Sequence, residues 1–263
     1  MKSIILLLSL CCISGTAQAA VQGREVDYEA DGVPLKGYLA YDDSISGKRP
    51  GVLVVHEWWG QNEYARKRAR MLAALGYTAL AVDMYGNGKV VDNPDDAGRL
   101  SGEVYRDLPE AKKRFEAAMQ LLRSQPTVEA GKLAAFGYCF GGGIALNMAR
   151  MGEDLKGVAS FHGGLGTPSP AQPGAIKARI ISFSGDADPT IGPDKVAAFR
   201  KEMDAAGADY RVVIYPGAKH AFTNPDADVL GKKFNLPIAY NAQADKDSWA
   251  QGTEFLREVF AAN

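Results

Sequence analysis

The sequence predicts a single-domain α/β fold, with a mostly parallel central sheet covered by helices on both faces. Three observations carry that expectation. Short unbroken apolar runs, such as Val52-Leu53-Val54-Val55 and Tyr77-Thr78-Ala79-Leu80-Ala81-Val82, have the composition of strands buried on both faces. Segments with apolar residues at helical spacing lie between such runs, so strands and helices alternate. No composition break, linker or internal repeat divides the 263 residues.

In chain order, residues 1–19 stand apart. Lys2 is a positive start, Ile4 to Ile13 an apolar stretch, and Ala17-Gln18-Ala19 a small-x-small cleavage site. This reads as a secretory signal, too short to span a membrane and cleaved near Ala19. Leu10 ahead of Cys11 speaks against lipid attachment. The domain, residues 20–263, is therefore expected in the periplasm or outside the cell, with no membrane anchor.

Glu25 to Ala30 and Val33 to Ala40 alternate about Asp31-Gly32 and predict an edge hairpin. Pro50-Gly51 launches the third strand. The following helix is capped by Asn62, buries Ala65, Ala69 and Leu72, and ends at Gly76. The fourth strand is Tyr77–Val82. Met84 to Arg106, with Gly86, Gly88, Pro94 and Gly98, has no sustained period and reads mostly as loop. Asp107-Leu108-Pro109-Glu110 starts a helix burying Ala111, Phe115, Ala118 and Leu122, which Pro126 ends. Leu133 to Tyr138 is the fifth strand. Later strands are Gly157–Phe161, Ala178–Phe183 and Tyr210–Tyr215, with helices from about Pro193 to Ala206 and Lys246 to Phe260.

The fifth strand runs into Gly137-Tyr138-Cys139-Phe140-Gly141-Gly142-Gly143 and then a helix. This is the strand-turn-helix pattern of a nucleophile elbow, with sulfur in place of a hydroxyl. It would lift Cys139 over a helix N-terminus, where the partial positive charge favours thiolate and backbone N–H groups face a carbonyl oxygen. Cleavage of the signal removes Cys11 and Cys12, so Cys139 remains alone and no intrachain disulfide can form. A lone cysteine in an exported protein flags a reactive thiol. The bland reading is a small buried hydrophobe at a turn.

Ligands of such a sheet bind beyond the carboxyl ends of the strands. The polar residues there are His56-Glu57, Asp83, Cys139, His162, Asp186 with Asp188, and His220. A nucleophilic thiol needs a base, and the base an orienting acid. His56, His162 and His220 compete, and only His220 gives the chain order nucleophile, acid, histidine. Asp186 and Asp188 share one turn, so one faces the histidine and the other caps loop backbone. Trp58 and Trp59 read as pocket wall.

Four blocks, Pro50 to Gly60, Gly137 to Gly142, Gly185 to Pro189 and Gly217 to Phe222, together resemble the dienelactone hydrolase family of α/β-hydrolases. The resemblance spans the mature chain and implies an α/β-hydrolase fold and a carboxylic ester hydrolase. It implies Cys139, Asp188 and His220 as the triad. It also implies Glu57 as an extra carboxylate that contacts the cysteine at rest and exchanges partners when substrate binds. The oxyanion hole falls to the N–H groups of Trp58 and Phe140, and Trp59, Tyr85, His162 and Phe222 are expected around the substrate. The family's best-known members recognise a substrate carboxylate with two arginines; Gly86 and Asn224 stand at those places here.

The expected substrate is a small ester or lactone, taken through an acyl-enzyme. No metal or cofactor is implied, since His56-Glu57-Trp58-Trp59-Gly60 lacks a second zinc-binding histidine and neither a dinucleotide fingerprint nor a P-loop is present. Balanced charge, 30 Lys and Arg against 31 Asp and Glu, asks for no nucleic acid. The cluster Arg66-Lys67-Arg68-Ala69-Arg70 reads as the solvated face of a helix. A monomer or weak oligomer is expected. The alternative is a non-catalytic ligand-binding or redox-sensitive member of the fold.

Overall fold

A computed structural model of the protein describes residues 21–262, and the export signal expected at residues 1–19 lies outside them. Strands β1 (Val21–Ala30) and β2 (Val33–Asp42) pair antiparallel about Asp31-Gly32. Both turn residues have positive φ, 47° and 78°, as a two-residue hairpin turn requires. β3 (Arg49–Val55), β4 (Thr78–Val82), β5 (Val128–Tyr138), β6 (Gly157–Phe161), β7 (Arg179–Gly185) and β8 (Tyr210–Tyr215) are mutually parallel. The sheet order is β1-β2-β4-β3-β5-β6-β7-β8, with β2 joining β4 antiparallel. From β3 the chain winds first to one side and then to the other. The crevice between the ends of β3 and β5 is thus the place where such a sheet binds its ligand.

Each central strand packs on both faces, which is why its sequence shows no alternation. Leu53 and Val55 join a core with Leu80, Phe115 and Ile144, while Val52 and Val54 join the opposite core with Leu72, Phe136 and Phe255. Helices α2 (Pro94–Arg106), α3 (Leu108–Arg123), α4 (Phe140–Arg150) and α5 (Pro193–Ala206) supply the first core. Helices α1 (Glu63–Ala73) and α7 (Ala242–Ala261) supply the second. α6 (Ala227–Phe234) lies in the connection between β8 and α7.

Three sequence expectations are corrected. Met84 to Arg106 is not mostly loop: Asn93 caps α2, Pro94 sits at its first turn, and Ala97, Leu100 and Val104 form its buried stripe. α7 begins at Ala242, capped by Asn241, ahead of the expected Lys246. Arg68 does not share the solvated face of α1. Its side chain is 5% exposed and pairs with Asp245 of α7 at 2.6 Å. It also packs over the rings of Tyr64, Tyr138 and Trp249.

Candidate active site

Cys139 joins β5 to α4 with φ 53° and ψ −118°, a conformation a non-glycine residue holds only when its surroundings enforce it. Close backbone approach explains the flanking glycines. A Cβ at Gly137 would lie 2.1 Å from the Gly141 carbonyl oxygen, and one at Gly141 would lie 2.3 Å from that of Val55. The turn therefore excludes side chains at both positions, and the sharp bend holds the sulfur at the sheet's carboxyl edge.

His220 reaches the sulfur from the loop after β8, with Nε2 3.0 Å from Cys139 Sγ. Its Nδ1 lies 2.7 Å from Asp188 Oδ2. Asp188 also accepts from the Thr190 N–H at 2.8 Å and the Thr190 hydroxyl at 2.6 Å. The neighbouring Asp186 accepts instead from the Gly217 N–H at 2.6 Å, bracing the loop before His220. Burial opposes charge on His220. Yet the Cys139 sulfur and the Asp188 carboxylate outweigh it and raise its pKa well above the ordinary value. Burial likewise works against ionised Asp188, but the hydrogen bonds from His220 and Thr190 hold its pKa below the usual value.

Glu57 and Trp58 follow β3. Glu57 is buried, and that burial raises its pKa to about 7 despite a hydrogen bond from Asn224 Nδ2 to Oε2 at 2.6 Å. The resemblance implied a resting contact between Glu57 and Cys139. Among the described residues the carboxylate's hydrogen bond goes to Asn224, because that amide is within reach, and the sulfur is paired with His220. Between pH 4.5 and about 7 folded Glu57 keeps a proton that the unfolded chain has released, so stability falls as pH rises through that window. Glu57→Gln is expected to remove this slope: the wild-type Tm should drop relative to the variant's from the acid to the neutral end. Parallel Tm curves would contradict the buried carboxylate.

The Trp58 and Phe140 N–H groups have no acceptor among the described residues, while the next N–H, of Gly141, is taken by the His56 carbonyl. His56 is buried and neutral in its contacts: Nε2 accepts from the Met84 N–H at 3.3 Å, and Nδ1 lies 2.5 Å from the Glu57 carbonyl. It thus fixes the peptide whose N–H belongs to Trp58.

A cavity of about 240 Å³ opens beside the sulfur, lined by Cys139, His220, Glu57, Trp58, Trp59, Asn224 and an apolar wall from α6 and the segment after it. That wall is Leu230, Leu236, Pro237 and Ile238. The same segment holds the histidine loop, with the Ala239 N–H donating to the His220 carbonyl at 3.2 Å. Sequence reading missed these residues; the apolar run Leu236-Pro237-Ile238 after the histidine was the available signal.

Tyr85, His162 and Phe222 do not line this cavity, which corrects the expectation. The Tyr85 hydroxyl turns to the Trp58 carbonyl at 2.8 Å. Phe222 is buried in the second core against Tyr215. His162 lies beneath the elbow, where the Cys139 N–H donates to its Nδ1 at 3.1 Å. Gly86, at one of the family's arginine places, adopts φ 90° in a turn held by Asp83, so an arginine there would be strained.

A cysteine on a strand-to-helix elbow above an eight-stranded sheet, followed along the chain by an aspartate and then by the histidine that meets both, defines an α/β-hydrolase. The chain belongs to the dienelactone hydrolase family, whose profile matches residues 35–260. It is 31% identical over 209 residues to an Aquifex aeolicus protein carrying the carboxymethylenebutenolidase name, covering 77% of this chain and 87% of that one. It is 28% identical over 240 residues to Protein usf of Aquifex pyrophilus, covering 90% and 98%. Among solved structures it resembles a dienelactone hydrolase-like promiscuous phosphotriesterase from metagenomic libraries, with TM-score 0.84 and 34% identity over 91% of this chain and 99% of that one. By family and by these relatives it is a carboxylic ester hydrolase.

Proposed function

We propose that the protein hydrolyses small uncharged esters or lactones through a Cys139 acyl-enzyme. The observation that carries this reading is the unbroken chain from Cys139 Sγ to His220 Nε2 at 3.0 Å and from His220 Nδ1 to Asp188 at 2.7 Å, at the wall of an apolar cavity. His220 holds the thiol's proton as sulfur attacks the carbonyl carbon, and the N–H groups of Phe140 and Trp58 hold the oxyanion. The proton passes to the departing alkoxide, leaving a thioester. Water, deprotonated by His220, attacks the thioester; the acid is released and the thiol regains its proton. Asp188 keeps the imidazole oriented throughout.

The cavity wall supports an uncharged substrate. Trp58, Trp59, Leu230, Leu236, Pro237 and Ile238 offer apolar surface, and among the described residues no lysine or arginine lines the space and Glu57 is the carboxylate facing it. A substrate carboxylate would be desolvated without a cation, a cost of several kcal/mol. The volume of about 240 Å³ suits a short acyl group. A p-nitrophenyl butyrate is therefore expected to exceed the matching hemisuccinate, which ends in a carboxylate, by at least about 10-fold in kcat/KM. Equal turnover of the two would contradict the uncharged class. Turnover of neither, nor of enol-lactones or a phosphotriester, would contradict the hydrolase mechanism itself.

A further inference from the structure

Among the described residues six non-glycines have positive φ, and three of them are Cys139 (53°), His162 (42°) and Ala221 (59°). Strain of this kind persists where neighbours enforce it, and one buried hydrogen-bond chain joins the segments that carry these three residues. The Cys139 N–H is shared between the Phe161 carbonyl at 3.0 Å and His162 Nδ1 at 3.1 Å. The other ring nitrogen, His162 Nε2, lies 2.7 Å from the hydroxyl of Thr223, three residues beyond His220. Thr223 Oγ1 is in turn 2.6 Å from Tyr64 Oη. Arg68 donates to Tyr64 Oη at 3.2 Å and to the Thr223 carbonyl at 2.7 Å.

Proton placement follows from this chain. The His162 ring is 0% exposed, so its contacts alone decide its tautomer. A nitrogen that accepts from the Cys139 N–H must be bare, which places the ring proton on Nε2, donated to Thr223. A proton on Nδ1 would set two N–H groups head to head at 3.1 Å. The charged and titratable groups facing the ring are His220, with ring centroids 5.3 Å apart, then Arg68 and the phenols of Tyr64 and Tyr138. Burial, then the cations of His220 and Arg68, push the pKa of His162 well below the ordinary value, so it stays neutral.

We propose that His162 and Thr223 are positioning residues: Thr223 holds His162 as the Nε2–H tautomer, and the bare Nδ1 ties the Cys139 backbone to the loop bearing His220. The pair thereby sets the distance between the sulfur and its base from behind the cavity. The inference rests on Cys139 as the nucleophile. Thr223→Val keeps the side chain's shape but removes the acceptor, so the ring proton can move to Nδ1 and the elbow loses its clamp. The substrate wall, from Leu230 to Ile238, is untouched.

The test uses the full chain and a p-nitrophenyl ester. Thr223→Val is expected to lower kcat by about 10- to 100-fold with KM within about twofold, as a misplacement of the reacting pair would. Thr223→Ser, which restores the hydroxyl, is expected to return kcat to within about threefold of wild type. Histidine 15N spectra of the wild type should contain one neutral Nε2–H tautomer that does not titrate from about pH 5.5 to 8.5 and is absent from His162→Gln. An Nδ1–H tautomer for His162, or wild-type kcat in Thr223→Val, would overturn the proposal. Should Thr223→Val fail to fold, the wild-type spectrum and Thr223→Ser decide it. Full turnover by Cys139→Ala would overturn the nucleophile reading on which it rests.

Discussion

Cys139→Ala is expected to lower kcat/KM for a p-nitrophenyl ester by at least about 10³-fold while leaving Tm nearly unchanged. The two halves of that expectation come from different parts of the structure. Alanine retains the Cβ, so the elbow at φ 53° and its flanking glycines see no new atom, and only a partly buried sulfur is lost. In the proposed mechanism the reaction loses the atom that His220 Nε2 approaches at 3.0 Å, and with it the covalent route. What remains is a pocket with two free N–H groups and an oriented imidazole, enough for weak general-base hydrolysis. Steady-state kinetics and a thermal melt on the same preparation check both halves.

Arg68→Met is expected to destabilise the fold by about 3–5 kcal/mol, the cost of removing one partner from a buried ion pair. For a domain of this size that corresponds to a Tm lowered by about 6–20 °C. The arginine does more than pair with Asp245. It donates to the Thr223 carbonyl and to Tyr64 Oη and packs over three aromatic rings. Methionine fills the apolar volume but leaves Asp245, 16% exposed, with the Tyr240 hydroxyl at 3.1 Å as its one remaining side-chain partner among the described residues. A Tm shift below about 2 °C would mean that the pair is no better than a surface one.

The sheet and the elbow were legible because their causes are local. Unbroken apolar runs mark strands covered on both faces, and the glycine at 137 is demanded by the backbone of Gly141 four residues on, whereas Gly141 answers to the carbonyl of Val55 in the neighbouring strand. The histidine and its acid were legible by chain order, and Asp186 and Asp188 divide as a shared turn requires, one on His220 and one on Gly217. What stayed hidden depends on partners far along the chain. Nothing in the run Arg66 to Arg70 says which cation meets Asp245 across the second core. His162 stands at a strand's carboxyl end, as a pocket residue would, but φ of 42° turns its ring under the elbow. α2 was obscured by Pro94, Gly98 and Gly102; the proline opens the helix, and neither glycine is pressed by a neighbour. The apolar wall from Leu230 to Ile238 comes from a short helix and the segment after it, whose place over the cavity is set by pairing between Ile238 and His220.

Mass spectrometry of the wild-type protein, acid-quenched during turnover of a p-nitrophenyl ester, decides whether Cys139 carries the acyl group. A species heavier by one acyl group is expected, with the modification on the peptide carrying Cys139 and lost as hydrolysis completes. Steady turnover with no acylated species at any quench time, or an acyl group on another residue, would contradict it.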